Sequence, residues 1–203
     1  MKMLLFITII TISMNMESQN KIKITQLDYK ELQTQLEAIR IEDQTLRQLL
    51  PEATAKFGAD SDELKHIWKL IHKQDRINEE KVLHIIDTYG WLGKSDIGEM
   101  ANQTLWLVIQ HAAIDVQEKY LPQLEASVKK GASEGWHLAF LEDRIRMRKG
   151  KKQRYGTQAK KDKLSGITYI YPIENKETVN QRRKSIGLNT IEEYAKNNNY
   201  VIR

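Results

Sequence analysis

Cysteine is absent from this 203-residue chain. That excludes thiol nucleophiles, cysteine–zinc sites, redox switching and a lipid anchor on cysteine. Only 3 prolines and 10 glycines are present, which favours long helices over a turn-rich β architecture. Aromatic residues make up 7%, low for a β-sandwich, whose pleated faces take aromatic and β-branched side chains. A phosphate-cradling glycine loop, a dinucleotide fingerprint and a serine elbow are all missing. So are the His-Glu-x-x-His and paired Glu-x-x-His spacings, which argues against a zincin or a di-iron bundle.

What is present fits one domain of ordinary size, with 40% hydrophobic and 29% charged residues. The first residues stand apart. Lys2 supplies a positive start, Met3 to Ile12 form an apolar run broken only by Thr8 and Thr11, and Ser13 to Gln19 turns polar. A run of about ten apolar residues is too short to span a bilayer but suits a secretory signal. The expectation is a signal peptide over residues 1–18, then a single mainly helical domain over 19–203, exported to the periplasm or cell exterior. No later segment is apolar enough to cross a membrane.

The net charge of +5 is unevenly spread. Ten basic residues lie between Arg144 and Lys163 against one acid, Asp162, and Arg182, Arg183 and Lys184 add a second cluster. Such a region attracts anions, from small molecules to an envelope polymer. The plain alternative is a solvated hairpin and helix end, where cations also complement the helix dipole. A nuclease-like role needs a metal or a second histidine near the basic stretch, and the nucleic-acid signal is correspondingly weak.

Apolar periodicity predicts helices over 28–50, 61–89, 97–114, 117–130 and 133–148, then around 177–185 and 190–196. Pro51 is expected to end the first, and the 61–89 segment is open to division at Asn78. Thr168 to Tyr171 has strand chemistry, so a short β-hairpin or extended segment is expected within 152–173. The fold class is therefore mainly α, an irregular bundle of about five to seven helices.

Helical spacing also exposes polar interruptions, which cost free energy unless paired or used. Asp43 falls in the stripe Leu36, Ile39, Asp43, Leu46. Asp75 and Asn78 follow Trp68 and Ile71, His111 follows Thr104 and Leu107, and Asp143 follows Trp136 and Phe140. Two readings stand side by side. One is a buried network, in which Asp43 or Asp143 pairs Arg144 or caps a neighbouring segment. The other is an interhelical pocket in which His111 acts as general acid or base, with Asp43 or Asp143 orienting its second nitrogen. Arg144 would hold an anionic group there, and Tyr155, Thr157 and Gln158, with Gly156 among them, would offer donors and acceptors to a ligand. No metal site is assigned; a single ion on Asp43, His111 and Asp143 is a minor alternative. His66, His72, His84 and His137 read as ordinary, and whether a cofactor is used is left unknown.

Taken in order, Glu42-Asp43-Gln44, Asp75 with Asn78, Gly90-Trp91, Gln110-His111, Tyr120-Leu121-Pro122, Glu142-Asp143-Arg144-Ile145, Gly150 with Gln153, Tyr155-Gly156-Thr157-Gln158, and Arg182-Arg183 with Gly187-Leu188 resemble an uncharacterised bacterial family, domain of unknown function family 6624. The resemblance runs from about Asp28 to Tyr194. It implies that the polar interruptions form one recurring constellation, and it supplies no chemistry. The chain departs from the family pattern at Ala112-Ala113, where an acid is often nearby, and at Glu174-Asn175, in place of an acidic–proline turn. The best reading is an exported protein with a polar pocket for an anionic ligand, serving either a hydrolase or lyase or a non-catalytic binding module that uses the 144–163 region.

Overall fold

A computed structural model describes residues 26–202; the expected signal peptide at 1–18 lies outside them. Nine α-helical segments occur among the described residues. Five are long: α1 (Gln26–Arg47), α3 (Asp62–Tyr89), α5 (Glu99–His111), α6 (Ile114–Lys129) and α7 (Gly135–Arg148). Four are short: α2 (Leu50–Phe57), α4 (Lys94–Ile97), α8 (Val179–Ser185) and α9 (Ile191–Asn198). The protein is an irregular, mainly helical bundle with a small sheet.

Each long helix forms for a local reason and stays for a tertiary one. In α1, Leu32, Leu36, Ile39 and Asp43 are buried along one stripe. Helix α3 starts at Ser61, whose hydroxyl accepts from the Leu64 amide at 3.2 Å, with Asp62 and Glu63 in the first turn against the dipole. It runs unbroken to Gly90, which closes it at φ +78. Helix α5 is buried nearly all round and packs against α1, α3, α6 and α7, so it is the axis of the core. Each fully buried Leu or Ile there contributes roughly 1.5–3 kcal/mol.

Pro51 does not simply end α1. The chain turns at Gln48 and Leu49, and the proline opens α2, where its missing N–H costs nothing. The expected hairpin is present within 152–173, and a third strand joins it. Strand β1 is Ala159–Lys161 and pairs antiparallel with β2, Thr168–Ile170, while β3, Tyr200–Ile202, adds in parallel to β2. Residues 153–158 lie outside the strands, with a single bridge from Gln153 to Ile173 and a bend at 154–155, because side chains capture their amides. Gln153, fully buried, accepts from the Gln158 amide and donates to the carbonyls of Gln158 and Tyr171. Ile170, Ile173, Val179, Ile191 and Ala195 form a second, smaller core under this region. Among the described residues no helix is long and apolar enough to cross a membrane.

Candidate functional site

The C-terminal end of α5 carries His111 to the place where α1 and α3 run alongside it. His111 Nδ1 lies 3.0 Å from Asp43 Oδ1. The two side chains are unequally exposed, 1% for Asp43 and 20% for His111. The buried carboxylate therefore holds the Nδ1 edge of the imidazole, and Nε2 makes no hydrogen bond among the described residues. Asp43 also accepts from Gln44 at 2.6 Å and lies 3.4 Å from the Arg47 guanidinium. Burial works to raise its carboxyl. The His111 hydrogen bond and charge, with Arg47 and Gln44, outweigh that and hold it below the usual range.

Arg47 ties this group to α3. It donates two hydrogen bonds to Asp75, at 2.8 and 2.9 Å, and one to the Asp43 carbonyl at 2.9 Å. One oxygen or nitrogen each from Asp43, Asp75 and His111 lie within 4.8 Å of one another, so these three could hold a divalent ion. The Arg47 guanidinium already supplies positive charge at Asp75, which a metal would have to displace. The acidic character extends further: burial, then Asp115, Asp75 and Glu80, push the Glu79 carboxyl up.

Arg144, on α7, meets α5 at Gln110, the residue before His111. With amide and guanidinium donors and acceptors matched, Gln110 Oε1 accepts from Arg144 Nε at 2.6 Å and Nη2 at 3.3 Å. Arg144 makes no salt bridge among the described residues, and burial plus the Arg148 charge push its guanidinium below the ordinary value. Arg148 donates to the Ala112 carbonyl at 2.9 Å, closing the end of α5. Two guanidiniums and one imidazole thus border the same helix end.

Asp143 is placed differently from Asp43. Its carboxylate accepts from the backbone amides of Arg154, Tyr155 and Thr157 at 2.7, 3.1 and 2.9 Å, and from the Thr157 hydroxyl at 3.0 Å. It is fully buried, and burial pushes it up against the pull of those donors. Its hydrogen bonds all go to the loop after α7 and none to His111. Of the expected ligand set, Thr157 is spent on Asp143, and Gln158 donates to Thr157 and, at 3.4 Å, to the Phe140 carbonyl. Tyr155 is 5% exposed and lines a different cleft, with Val128, Leu138 and Ile186. So Asp43 and His111 come together with Asp75, Gln110 and Arg144 lie on the neighbouring face, and Asp143, Tyr155, Thr157 and Gln158 belong to the loop.

The basic residues divide as well. Arg146 pairs with Glu174, Lys149 with Glu118 and Arg154 with Glu142. Lys151, Lys152, Lys160, Lys161 and Lys163 are exposed and make no ion pair among the described residues. Arg183, read as surface charge, is 1% exposed and donates to Asn189 and Tyr155 carbonyls at 2.6 and 2.7 Å. His137, read as ordinary, is 1% exposed between Trp106 and Trp136, which Phe140 packs against in turn. Neither of its ring nitrogens has a partner, and burial lowers it to about 4. Only its position in the first turn of α7, between Trp136 and Leu138, hinted at burial.

The architecture and this polar junction define a class: a mainly helical bundle in which one buried acid, Asp43, with half-buried Asp75 beside it, meets a histidine at a helix end. The chain matches the model of a family of unknown function (DUF6624) over residues 30–201 and belongs to that family. No curated protein and no solved structure matches it.

Proposed function

We propose that the junction of α1, α3 and α5 is the working site of an exported hydrolase or lyase that acts on an anionic substrate. The observation that carries this reading is the Asp43–His111 contact with its unequal burial. A buried carboxylate at Nδ1 fixes the imidazole plane and keeps the proton on Nδ1, leaving the Nε2 lone pair for a substrate or water proton. Asp43 is the positioning residue and His111 the acid–base group. Arg144, free of any carboxylate and held on Gln110, supplies a cation for the substrate's charge. The polar–apolar–polar start of the chain supports export.

The test has two parts. Long-range nitrogen–proton NMR of His111 at alkaline pH is expected to show the Nδ1–H tautomer, converting to a mixture in Asp43→Asn. Wild type screened on chromogenic carboxylic and phosphate esters is expected to turn over one of them, and His111→Asn to lose at least about a hundredfold. A folded His111→Asn that keeps full turnover would sink the assignment.

One observation favours a second, non-catalytic reading. Leu164 is wholly exposed at the turn between β1 and β2, with Lys160, Lys161 and Lys163 around it, unpaired. A basic tip of this kind suits attachment to an anionic envelope polymer. Retention on an anionic polysaccharide column, abolished by Lys160→Gln, Lys161→Gln and Lys163→Gln together, is the corresponding result.

A further inference from the structure

Helix α7 begins without the groups that usually close a helix. Its N-cap, Glu134, makes no side-chain capping bond, and its first turn holds no acidic residue. The His137 amide bonds the Glu134 carbonyl and the Glu134 carboxylate pairs with Lys94, so the amides of Gly135 and Trp136 are the ones left to project positive partial charge. Gly135, the first residue, opens onto a cleft of about 560 Å³ formed with Glu125, Val128 and Lys129 of α6, Leu138 of α7, Ser185 at the end of α8 and Ile186 after it. The glycine is required there. A Cβ on Gly135 would stand 2.0 Å from the Ile186 carbonyl oxygen, so the segment after α8 can lie across the start of α7 only because no side chain intervenes.

A second feature, independent of the helix end, points to a ligand. Tyr155 lines the same cleft and is 5% exposed, and its backbone is fixed by Asp143 and Arg183. Its hydroxyl has no hydrogen-bond partner among the described residues, while that of Tyr120, also buried, donates to Asp87 at 2.7 Å. A buried phenol normally finds a partner for its O–H. Burial keeps it protonated, hence a donor. The wall is apolar at Val128, Leu138 and Ile186. Lys129 is the cation and Glu125 the acid of the lining, with Ser133 and Ser185 as its small polar members. Lys129 and Glu125 sit one helical turn apart on α6, so a negative group is drawn to the Lys129 side and turned from the Glu125 side.

We propose that this cleft binds a small amphiphilic anion, a carboxylate or phosphate head on a short apolar body. The head takes the α7 amides, the Tyr155 hydroxyl and Lys129, and the body lies on Val128, Leu138 and Ile186. The site is separate from the His111 junction. Gly135 and the Arg148 that closes α5 lie at opposite ends of α7, a helix of 14 residues and about 20 Å.

Calorimetric titration of the whole protein with hexanoate, hexyl phosphate, 1-hexanol and inorganic phosphate tests this. Hexanoate or hexyl phosphate is expected to bind, and which of the two binds more tightly identifies the head. Hexanol and inorganic phosphate each lack one half of the recognition and should bind at least about tenfold more weakly. Tyr155→Phe keeps the ring and its packing, so it should fold and weaken binding about tenfold; Lys129→Gln should weaken it and flatten its salt dependence. His111→Ala should bind as wild type does, which keeps this result distinct from the fate of the acid–base reading. Equal binding of hexanol, unchanged affinity in folded Tyr155→Phe, or no heat from either amphiphile up to about 10 mM overturns the proposal.

Discussion

The imidazole of His137 lies nearly parallel to the indole of Trp106, with centroids 5.0 Å apart and planes 12° from parallel. Trp136 meets it edge-on at 4.1 Å, and no polar group reaches either nitrogen. This is a histidine packed as an aromatic.

Its acidity makes folding depend on pH. The folded value of about 4 lies below the ordinary 6.5, so the unfolded chain takes up a proton that the folded one refuses. The stability present above pH 6.5 is lost as pH falls toward 4, by roughly 3 kcal/mol at the lower end. His137→Phe should lack this loss. Urea unfolding of both proteins at pH 7 and pH 4 is expected to show the variant gaining on wild type by about that amount. Parallel declines would remove His137 as the cause.

Asp143 should behave as a structural anchor. Removing its charge in Asp143→Asn leaves three backbone amides and a hydroxyl facing an amide that can accept from only some of them. The expected cost is about 3 kcal/mol in unfolding free energy, at the scale of a broken buried charged network. Thr157→Ala, which deletes one donor and leaves the carboxylate its amides, should cost about 1 kcal/mol. Hydrogen exchange of the Arg154, Tyr155 and Thr157 amides should accelerate in Asp143→Asn ahead of the helical core. Core and loop amides accelerating together would argue against a local anchor.

Periodicity made Asp43, Asp75, Asn78, His111 and Asp143 visible as polar members of apolar stripes, because a helix repeats its buried face every three to four residues. The same logic could not say which stripes would face each other. Asp43 and Asp143 look alike within their own helices, yet one meets a histidine on α5 and the other a loop eleven to fourteen residues onward. Arg183 was hidden for a different reason. Within Arg182-Arg183-Lys184 it looks solvated, and its burial depends on carbonyl groups of Asn189 and Tyr155, supplied by turns rather than by a charge of opposite sign. Strand β3 was hidden by its length, since Tyr200–Ile202 is too short for alternation to register.

Arg183 also yields a test of how the small sheet region is held to the bundle. It bonds Tyr155 in the loop after α7 and Asn189 before α9, and lies over the Tyr194 ring at 5.0 Å. Arg183→Met keeps much of the stem and removes all three hydrogen bonds. Two carbonyl oxygens then lose a charged donor, at an expected cost of about 2–4 kcal/mol. The loss should appear as lower protection at Tyr155 and Ile191, with α1 and α3 unchanged until global unfolding. A variant as stable as wild type would mean that the apolar cluster around Ile173 and Ile191 alone holds this region.

Asp43 makes the complementary pH prediction. Its folded carboxyl sits below the ordinary 3.8, because His111 and Arg47 outweigh burial. The sign is opposite to that of His137. Here the folded state holds its proton less tightly than a carboxylate in the unfolded chain. The stabilising contribution is complete above pH 3.8 and disappears as pH falls through the folded value. Asp43→Asn should therefore be less stable than wild type at pH 6, and the difference should shrink in strong acid. His111→Asn removes the hydrogen bond and charge that lower Asp43, leaving burial and Arg47 in opposition, and should move the acid transition to higher pH. The double variant separates a coupled pair from two independent residues: coupling means that the second substitution costs less than it does alone. Strict additivity of the two, measured by urea unfolding at pH 6, would show that the 3.0 Å contact contributes nothing to the fold and that its retention has to be explained by chemistry at Nε2.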